Sequence, residues 1–168
     1  MKKKLHAVVI IISALIIFSS FYQLIGRIYV QKSSSMIPLI NENDRVFILK
    51  SKNIKRFDII CFSFTQNGST FPILKRVIAF SGEKIAISNG EIKIDNNSIM
   101  LPPEIDVKYL SGTESYPIKY GSPGNYIVPS GELFVIGDNT NFSYDSRYFG
   151  GVPINKIIGK AIWLLRYL

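Results

Sequence analysis

Ile85-Ala86-Ile87-Ser88-Asn89-Gly90-Glu91-Ile92-Lys93-Ile94 is the stretch of sequence that decides the fold class. Two short runs rich in isoleucine, a residue favoured in β-strands, flank the dipeptide Asn89-Gly90. Asn-Gly suits a type I′ turn, because both of its residues tolerate the positive φ angles that this turn requires. The stretch therefore predicts a tight β-hairpin.

Similar β-rich runs between turn signals continue through the chain after residue 30, where we find no helical heptads, repeats or low-complexity stretch. This pattern predicts an all-β domain, and a chain of 168 residues has room for one. A stretch rich in Pro, Gly and Ser predicts a long surface loop over residues 102–125. The predicted strands are Arg45–Lys50, Asp58–Phe64, Phe71–Phe80, Lys84–Ser88, Glu91–Ile94, Tyr126–Val128, Glu132–Ile136 and Ile157–Leu165.

The charge balance of the chain does not indicate a nucleic-acid partner. The formal net charge is +8, from 20 Lys and Arg against 12 Asp and Glu. Most of the basic residues are scattered singly, and Lys2-Lys3-Lys4 is the only cluster. A nucleic-acid-binding domain usually concentrates its basic residues on one face or arm. We therefore expect no nucleic acid among the partners.

Two scarce residue types restrict the chemistry that the chain can perform. The only cysteine is Cys61 and the only histidine is His6, which lies in the N-terminal basic segment. An intrachain disulfide, a histidine-based Ser or Cys protease site and a clustered zinc site are therefore not expected, and we predict no metal and no cofactor. Any hydrolase site must use hydroxyl, amine and carboxylate groups. Cys61 lies in a predicted strand and is most simply a small buried residue.

An apolar segment without any charged residue runs from Ala7 to Gly26. Twenty helical residues span about 30 Å, which matches the bilayer core. No Ala-x-Ala step follows, so residues 7–26 are predicted as a retained transmembrane helix rather than a removable signal peptide. Lys2-Lys3-Lys4 before the segment and Arg27 after it predict that residues 1–6 are cytoplasmic. Residues 30–168 are then an extracytoplasmic domain.

Three stretches could carry chemistry, and each also has an ordinary structural interpretation. Ser33-Ser34-Ser35-Met36-Ile37-Pro38 could be a polar linker. Lys75 shares one strand face with Ile73 and Val77. If that face is buried, the pKa of Lys75 is lowered and its amine can act as a general base. On an exposed edge strand, Lys75 would be an ordinary surface lysine. Gly137–Arg147 could be a loop of Asx turns with one Asp–Arg pair.

In combination and in this order, these motifs resemble those of the bacterial type I signal peptidases. The resemblance covers nearly the whole chain, from the apolar segment to Gly159-Lys160-Ala161. It implies a mostly antiparallel β domain with an apolar surface facing the bilayer, a bacterial plasma-membrane location, and cleavage of signal peptides from exported preproteins. The motifs are Ser35-Met36-Ile37-Pro38, Asp44-Arg45-Val46, the Lys-Arg-Val-Ile-x-x-x-Gly run from Lys75, Gly137-Asp138-Asn139, and Ser143-Tyr144-Asp145-Ser146-Arg147.

The resemblance also implies a role for individual residues. Ser35 would be the nucleophile and Lys75 its general base. Ser33 would lend its hydroxyl to the oxyanion hole beside the Ser35 backbone N–H, and Ser143 would hydrogen-bond to the Lys75 amine and orient it. Two structural ion pairs would hold the loop against the strand of Lys75: Asp138 with Arg76, and Asp145 with Arg147.

The sequence departs from the family pattern at Thr140, where a basic residue is common, and at Phe142, where Asn is common. Neither position is expected to carry the chemistry, but both could affect loop packing and substrate preference. The compact spacing from Ser35 to Lys75 implies that the extra domain of larger family members is absent.

Two alternative functions remain open at this point. The chain could be a specialised peptidase of the same family that processes a few substrates, such as a conjugative pilin, in contact with secretion or conjugation machinery. It could also be a non-catalytic, membrane-anchored assembly factor on the same scaffold. The second alternative predicts loss of Ser35 or Lys75, and the sequence contains both residues.

Overall fold

The computed structural model describes residue 6 and residues 9–16, 25–112, 118–121 and 126–165, with side chains described as far as residue 162. Residues 9–16 are helical. None of the helices within these ranges is both long enough and apolar enough to cross a membrane. Much of the predicted anchor over residues 7–26, and most of the predicted cytoplasmic segment over residues 1–6, lies outside the described residues.

Eleven β-strands make up most of the described domain. They are β1 (Gly26–Val30), β2 (Arg45–Leu49), β3 (Ile59–Gln66), β4 (Ser69–Phe80), β5 (Lys84–Ser88), β6 (Glu91–Ile94), β7 (Asn97–Ser98), β8 (Tyr126–Ile127), β9 (Glu132–Ile136), β10 (Val152–Pro153) and β11 (Ile157–Leu165). One short helix, α1 (Ser146–Phe149), and four 3-10 turns connect them: Ser34–Met36, Val107–Tyr109, Thr140–Phe142 and Ile154–Lys156.

The strands form two sheets, one of seven strands in the order β1-β2-β11-β3-β4-β9-β10 and one of four in the order β7-β6-β5-β8. Every strand pair in the described residues is antiparallel. The predicted all-β, mostly antiparallel fold class is therefore confirmed. Strands β5, β6, β9 and β11 also have the predicted bounds.

The predicted hairpin over residues 85–94 is formed by β5 and β6, with Ser88 opposite Glu91. Its turn residues Asn89 and Gly90 have φ angles of 49° and 77°, as a type I′ turn requires. A second Asn-Gly turn, at residues 67–68, closes the hairpin of β3 and β4 with φ angles of 50° and 77°. Local turn chemistry therefore fixes the register of both hairpins.

Two predictions about chain segments need correction. Residues 102–125 are not simply a surface loop, because Ile105, Leu110 and Ile118 are buried and pack into the core that contains β5 and β6. Their apolar side chains cover part of the second sheet that would otherwise face water. The predicted anchor is also one residue too long, because Gly26 is the first residue of β1, and strands β1, β7 and β10 were not predicted.

One part of the core supports the residues of interest directly. The Ser34–Met36 turn follows β1, and Lys75 lies in the middle of β4. Met36 and Leu74, the neighbours of Ser35 and Lys75, are buried in one apolar cluster with Ile40, Val46, Ile48, Ile59 and Cys61. Burial raises the pKa of the Cys61 thiol to about 12, so this cysteine is an unreactive core residue.

Candidate active site

Ser35 and Lys75 meet at the centre of the candidate site, although 40 residues separate them in sequence. Lys75 Nζ lies 2.7 Å from Ser35 Oγ, within hydrogen-bond distance. Ser35 is 4% exposed and Lys75 3% exposed. Because both groups are buried side by side, water competes little for the contact between them.

The environment of Lys75 favours its neutral form. Burial is the main cause that lowers the pKa of its amine from 10.5 to about 8, and the charge of Arg147 lowers it further. The carboxylates of Asp145 and Asp138 act in the opposite direction. An amine with a pKa near 8 is partly unprotonated at neutral pH, as a general base must be.

Asn139 holds the turn that carries Ser35. Its backbone N–H donates to the carbonyl oxygen of Ser35 at 3.1 Å, and its side-chain Nδ2 donates to the carbonyl oxygen of Ser34 at 3.1 Å. The Gly137-Asp138-Asn139 motif pointed to this loop, but no role for Asn139 was predicted from the motif. The two bonds join the loop after β9 to the turn after β1.

Gly137 lies in close contact with the same turn. Its backbone N–H donates to Asp145 Oδ2 at 3.0 Å. A Cβ atom added at Gly137 would lie 2.2 Å from Ser143 Oγ and 2.5 Å from the carbonyl oxygen of Ser35. There is no room for a side chain at this position, so Gly137 allows the loop to approach Ser35 closely.

The Ser33 hydroxyl lies on the other side of Ser35, with 3.1 Å between the two Oγ atoms. Gln31 Nε2 donates to the carbonyl oxygen of Ser33 at 2.8 Å and is 3.4 Å from Ser33 Oγ. Gln31 is only 1% exposed, and its place in the site was not predicted from the sequence. Nothing in the sequence distinguishes this glutamine from a polar residue in an exposed segment.

The predicted hydrogen bond from Ser143 to the Lys75 amine is not formed. Ser143 is buried near the site, but its Oγ has no hydrogen-bond partner among the described residues. The hydroxyl instead lies against Gly137, and Lys75 bonds to Ser35. Ser143 also accepts a bond at its backbone carbonyl, from Arg147 Nη2 at 3.3 Å.

Both predicted ion pairs are present and buried. Arg76 contacts Asp138 through two hydrogen bonds of 2.7 and 2.6 Å, and Arg147 contacts Asp145 through two of 2.8 and 2.9 Å. Burial raises the pKa of Asp138, and the Arg76 guanidinium opposes that shift. The remaining donors of Arg147 bond to backbone carbonyls of the surrounding loops, those of Tyr109, Leu110, Thr140 and Ser143.

A cavity of about 560 Å³ opens beside Ser33. It lies between β1 and the first half of β4, and its lining is mainly apolar: Ile28, Tyr29, Val30, Phe71, Pro72 and Ile73, with Lys32. Strand β1 is at the end of its sheet, and residues 69–75 of β4 pair only with β3. The cavity therefore lies between two strand edges that can pair with an extended peptide.

Tyr29 joins the two walls of this cavity. Its hydroxyl donates to the carbonyl oxygen of Pro72 at 3.0 Å. Burial raises the pKa of Tyr29 to about 12, so the phenol stays protonated and able to donate.

Among the residues described, no group of three or more His, Cys, Asp or Glu side chains could hold a metal ion.

An antiparallel β domain with a buried serine and lysine in contact, beside an apolar cleft, has the groups that a serine hydrolase needs. Comparison with known families gives a narrower assignment. Residues 3–165 match the family model described as signal peptidase, peptidase S26. The chain belongs to this family of signal peptidases, and the family predicted from the motifs is confirmed.

Two sequence relatives agree with this assignment. The chain is 33% identical over 141 residues to the signal peptidase I of Bacillus caldolyticus, which covers 79% of the chain and 75% of that protein. It is 32% identical to the probable signal peptidase I-2 of Synechocystis sp., covering 77% of the chain, and spans only 58% of that relative's length. A solved structure of a signal peptidase I from Enterococcus faecalis V583 is 26% identical, with a TM-score of 0.49, and covers 64% of this chain and 96% of that one.

Proposed function

We propose that this chain is a membrane-anchored serine endopeptidase that removes signal peptides from exported preproteins, with Ser35 as nucleophile and Lys75 as general base. The observation that carries the proposal is the 2.7 Å distance between Lys75 Nζ and Ser35 Oγ in a buried site. The lowered pKa of Lys75, about 8, supports its role as a base. Membership of the signal peptidase family supports the class of substrate.

The reaction proceeds in two halves that share one base. Neutral Lys75 takes the Ser35 proton while Ser35 Oγ attacks the scissile carbonyl carbon. The C–N bond then breaks, and protonated Lys75 gives the proton to the leaving amine. In the second half, neutral Lys75 takes a proton from water, and the resulting hydroxide attacks the ester carbon. The Ser35–carbon bond breaks and Ser35 Oγ recovers the proton from Lys75.

The oxyanion of each tetrahedral intermediate needs donors that are in place before the reaction. The Ser33 hydroxyl and the Ser35 backbone N–H are the groups that we assign to this role. The Ser33 hydroxyl lies 3.1 Å from Ser35 Oγ, and Ser33 lines the cavity. A single donor of this kind contributes about 10²- to 10³-fold in rate.

Ser143 acts, in our proposal, only after Lys75 is protonated. An ammonium group has three protons to donate, and Ser35 Oγ is by then bonded to the substrate carbon. The Ser143 hydroxyl is buried and has no partner among the described residues, so it is available as an acceptor.

The cleft supports binding of an extended, apolar peptide. Residues 73–75 of β4, on the Lys75 side of the hydrogen bond from Tyr29 to Pro72, offer an unpaired strand edge that leads directly to Lys75. On the opposite wall, β1 leads through Gln31 and Lys32 to Ser33. A peptide held between these walls presents its carbonyl carbon between Ser35 and the oxyanion donors.

A membrane anchor over residues 7–25, with residues 1–6 in the cytoplasm and residues 30–168 outside it, completes the proposal. The charge-free apolar run and the flanking basic residues support it. Eight residues separate Arg27 from Ser35, which reach at most about 28 Å when fully extended. The active serine would then stay near the membrane surface from which a signal peptide emerges.

Cleavage of a secretory preprotein by the purified full chain in detergent tests this function. We expect cleavage at the mature junction, and no cleavage by folded Ser35→Ala or Lys75→Ala variants. Ser34→Ala removes the neighbouring hydroxyl and serves as the matched control, which should stay active. Cleavage of a pilin precursor alone would favour the specialised peptidase. Identical behaviour of all four proteins on every substrate would favour the assembly factor.

A further inference from the structure

Gln31 is a buried amide directly behind the Ser33–Ser35 segment. Its side chain and backbone are 1% exposed. Its backbone N–H donates to the Asp44 carbonyl at 2.9 Å, and its carbonyl accepts from the Asn43 N–H at 2.8 Å. Because both backbone groups are bonded, the Cα of Gln31 is fixed and its side chain has little freedom.

The hydrogen bonds of Gln31 define which way its amide faces. Nε2 lies 2.8 Å from the carbonyl oxygen of Ser33, and a carbonyl oxygen can only accept. The opposite orientation would bring two acceptors together, so the NH₂ group must face Ser33. The same NH₂ group is 3.4 Å from Ser33 Oγ, a longer and weaker contact.

This orientation controls where the Ser33 proton can go. An amide nitrogen donates only, so Ser33 Oγ accepts from Gln31 and its single proton must point elsewhere. Ser35 Oγ, at 3.1 Å, is the next polar atom bonded to that hydroxyl. The bonds therefore run in one direction, from Gln31 to Ser33 to Ser35, towards the reacting atoms.

We infer that Gln31 is a positioning residue that keeps the proton of the Ser33 hydroxyl on the side of Ser35 Oγ, where the oxyanion will form, before substrate binds; the inference rests on the proposed function. A serine hydroxyl without such a partner would divide its time among several orientations, and only some of them face the oxyanion. A donor fixed in advance requires no reorganisation during the reaction.

Packing alone gives no reason for an amide at this position. Burying an amide is unfavourable unless its hydrogen bonds are replaced, whereas an apolar side chain of similar size would be buried without that cost. The bonds that compensate Gln31 are both made to Ser33. Its polar character is therefore used at the candidate oxyanion donor.

A double-mutant cycle with Gln31→Leu, Ser33→Ala and the combined variant tests the inference, with kcat, KM and Tm measured for each. We expect Gln31→Leu to lower kcat about tenfold and Ser33→Ala about 100-fold, with KM changed less than about twofold. The combined variant should match Ser33→Ala, because Gln31 acts through the hydroxyl that is already absent. The pH profile of Lys75 should stay the same in all of them.

Additive losses in the cycle, or a fall in kcat that follows a lower Tm, would overturn the inference and leave Gln31 a structural residue. If Gln31→Leu does not fold, Gln31→Met, which has an unbranched side chain of similar length, replaces it in the same cycle. A wild-type protein that cleaves no preprotein would overturn the proposed function itself. Ser35-dependent cleavage with an additive cycle would overturn only the role of Gln31.

Discussion

A Cβ atom added to Gly137 would lie 2.5 Å from the carbonyl oxygen of Ser35. Two loops that are far apart in sequence therefore pass each other so closely that no side chain fits between their backbones at this point. The neighbouring bonds from Asn139 to Ser34 and Ser35 depend on this close approach. The position of Ser35 is thus set by the loop after β9 as much as by β1, the strand that precedes its turn.

We expect Gly137→Ala to reduce cleavage about 100-fold, because the methyl group must push the Ser35 turn away and small displacements of reacting atoms have costs of that order. Overpacking should also lower the free energy of unfolding by about 1–3 kcal/mol. Gly68→Ala is the control: Gly68 has open space around it and a φ angle of 77°, so the substitution is strained but remote. It should lower stability and leave cleavage unchanged, and equal loss of cleavage in both variants would contradict the role of Gly137.

Cleavage should depend on pH through the amine of Lys75. Its pKa is lowered to about 8, mainly by burial, and only the neutral amine can accept the Ser35 proton. We expect kcat/KM to rise about tenfold per pH unit below pH 8 and to level off above it. The only histidine, His6, precedes the domain, so no imidazole of the domain can produce this limb. A limb near 10.5, or a flat profile from pH 6 to 10, would exclude Lys75 as the base.

Replacing Lys75 should stabilise the fold at neutral pH. Between about pH 8 and 10.5 the amine binds fewer protons in the native state than in the unfolded state. The free-energy cost of burying the charged amine is therefore full below pH 8, and it disappears as the pH rises towards 10.5. A shift from 10.5 to about 8 corresponds to about 3 kcal/mol. Lys75→Met should be more stable than wild type by about 2–3 kcal/mol at pH 7, and this gain should shrink by about 1 kcal/mol at pH 9.

Denaturant unfolding of wild type and Lys75→Met at both pH values measures this effect. The raised pKa of the Cys61 thiol, about 12, gives the opposite pH dependence from about pH 9 upwards, because the unfolded thiol ionises first. That contribution is common to both proteins and cancels in their difference. A difference that does not vary with pH would mean that the Lys75 amine is not desolvated.

Arg147→Lys should destabilise the domain strongly. The Arg147 guanidinium bonds to both oxygens of Asp145 and to four backbone carbonyls, and a lysine cannot reproduce this planar array. We expect a loss of about 3 kcal/mol in the free energy of unfolding. Arg56→Lys is the matched control, because Arg56 makes a similar two-bond contact with Glu83 but is 28% exposed. It should lose about 1 kcal/mol or less, and similar losses for the two variants would disprove the argument.

Ser143→Ala should separate stability from activity. Its hydroxyl has no partner among the described residues, so its removal should leave stability unchanged or raise it by about 1 kcal/mol. The proposed acceptor role for protonated Lys75 predicts that kcat falls at least about tenfold. Ser146→Ala is the control, because Ser146 Oγ accepts the Val135 N–H at 3.0 Å and its loss should cost about 1–3 kcal/mol. Full activity of Ser143→Ala would remove Ser143 from the mechanism.

The sequence allowed prediction of the parts of the fold that are determined locally. The hairpin at Asn89-Gly90 depends on turn chemistry, and its strands have the predicted bounds. Strand β1 was missed because it continues an apolar run that already predicts a helix. The buried residues within 102–125 were missed because only the packing of two sheets shows which apolar side chains a loop contributes.

The candidate site divides in the same way. Ser35 and Lys75 could be named because their motifs are specific in combination. Gln31, Asn139 and Gly137 could not be given roles, because these depend on burial and on contacts between segments that are distant in sequence. The Ser143 contact was predicted by analogy, and in the described conformation its hydroxyl has no hydrogen-bond partner among the described residues.

The hydrogen bond from Tyr29 to Pro72 limits the length of substrate that the cleft can bind through backbone pairing. Proline has no N–H to offer, and its carbonyl is already occupied by the phenol, so peptide pairing along β4 stops at this point. Only the few residues between Pro72 and Lys75 can form backbone hydrogen bonds that align a substrate in the cleft. Under the proposed function, preproteins could differ freely upstream of that short window and still be cut at the same kind of junction. The enzyme would then accept many unrelated exported proteins, because it contacts only a short segment of each one.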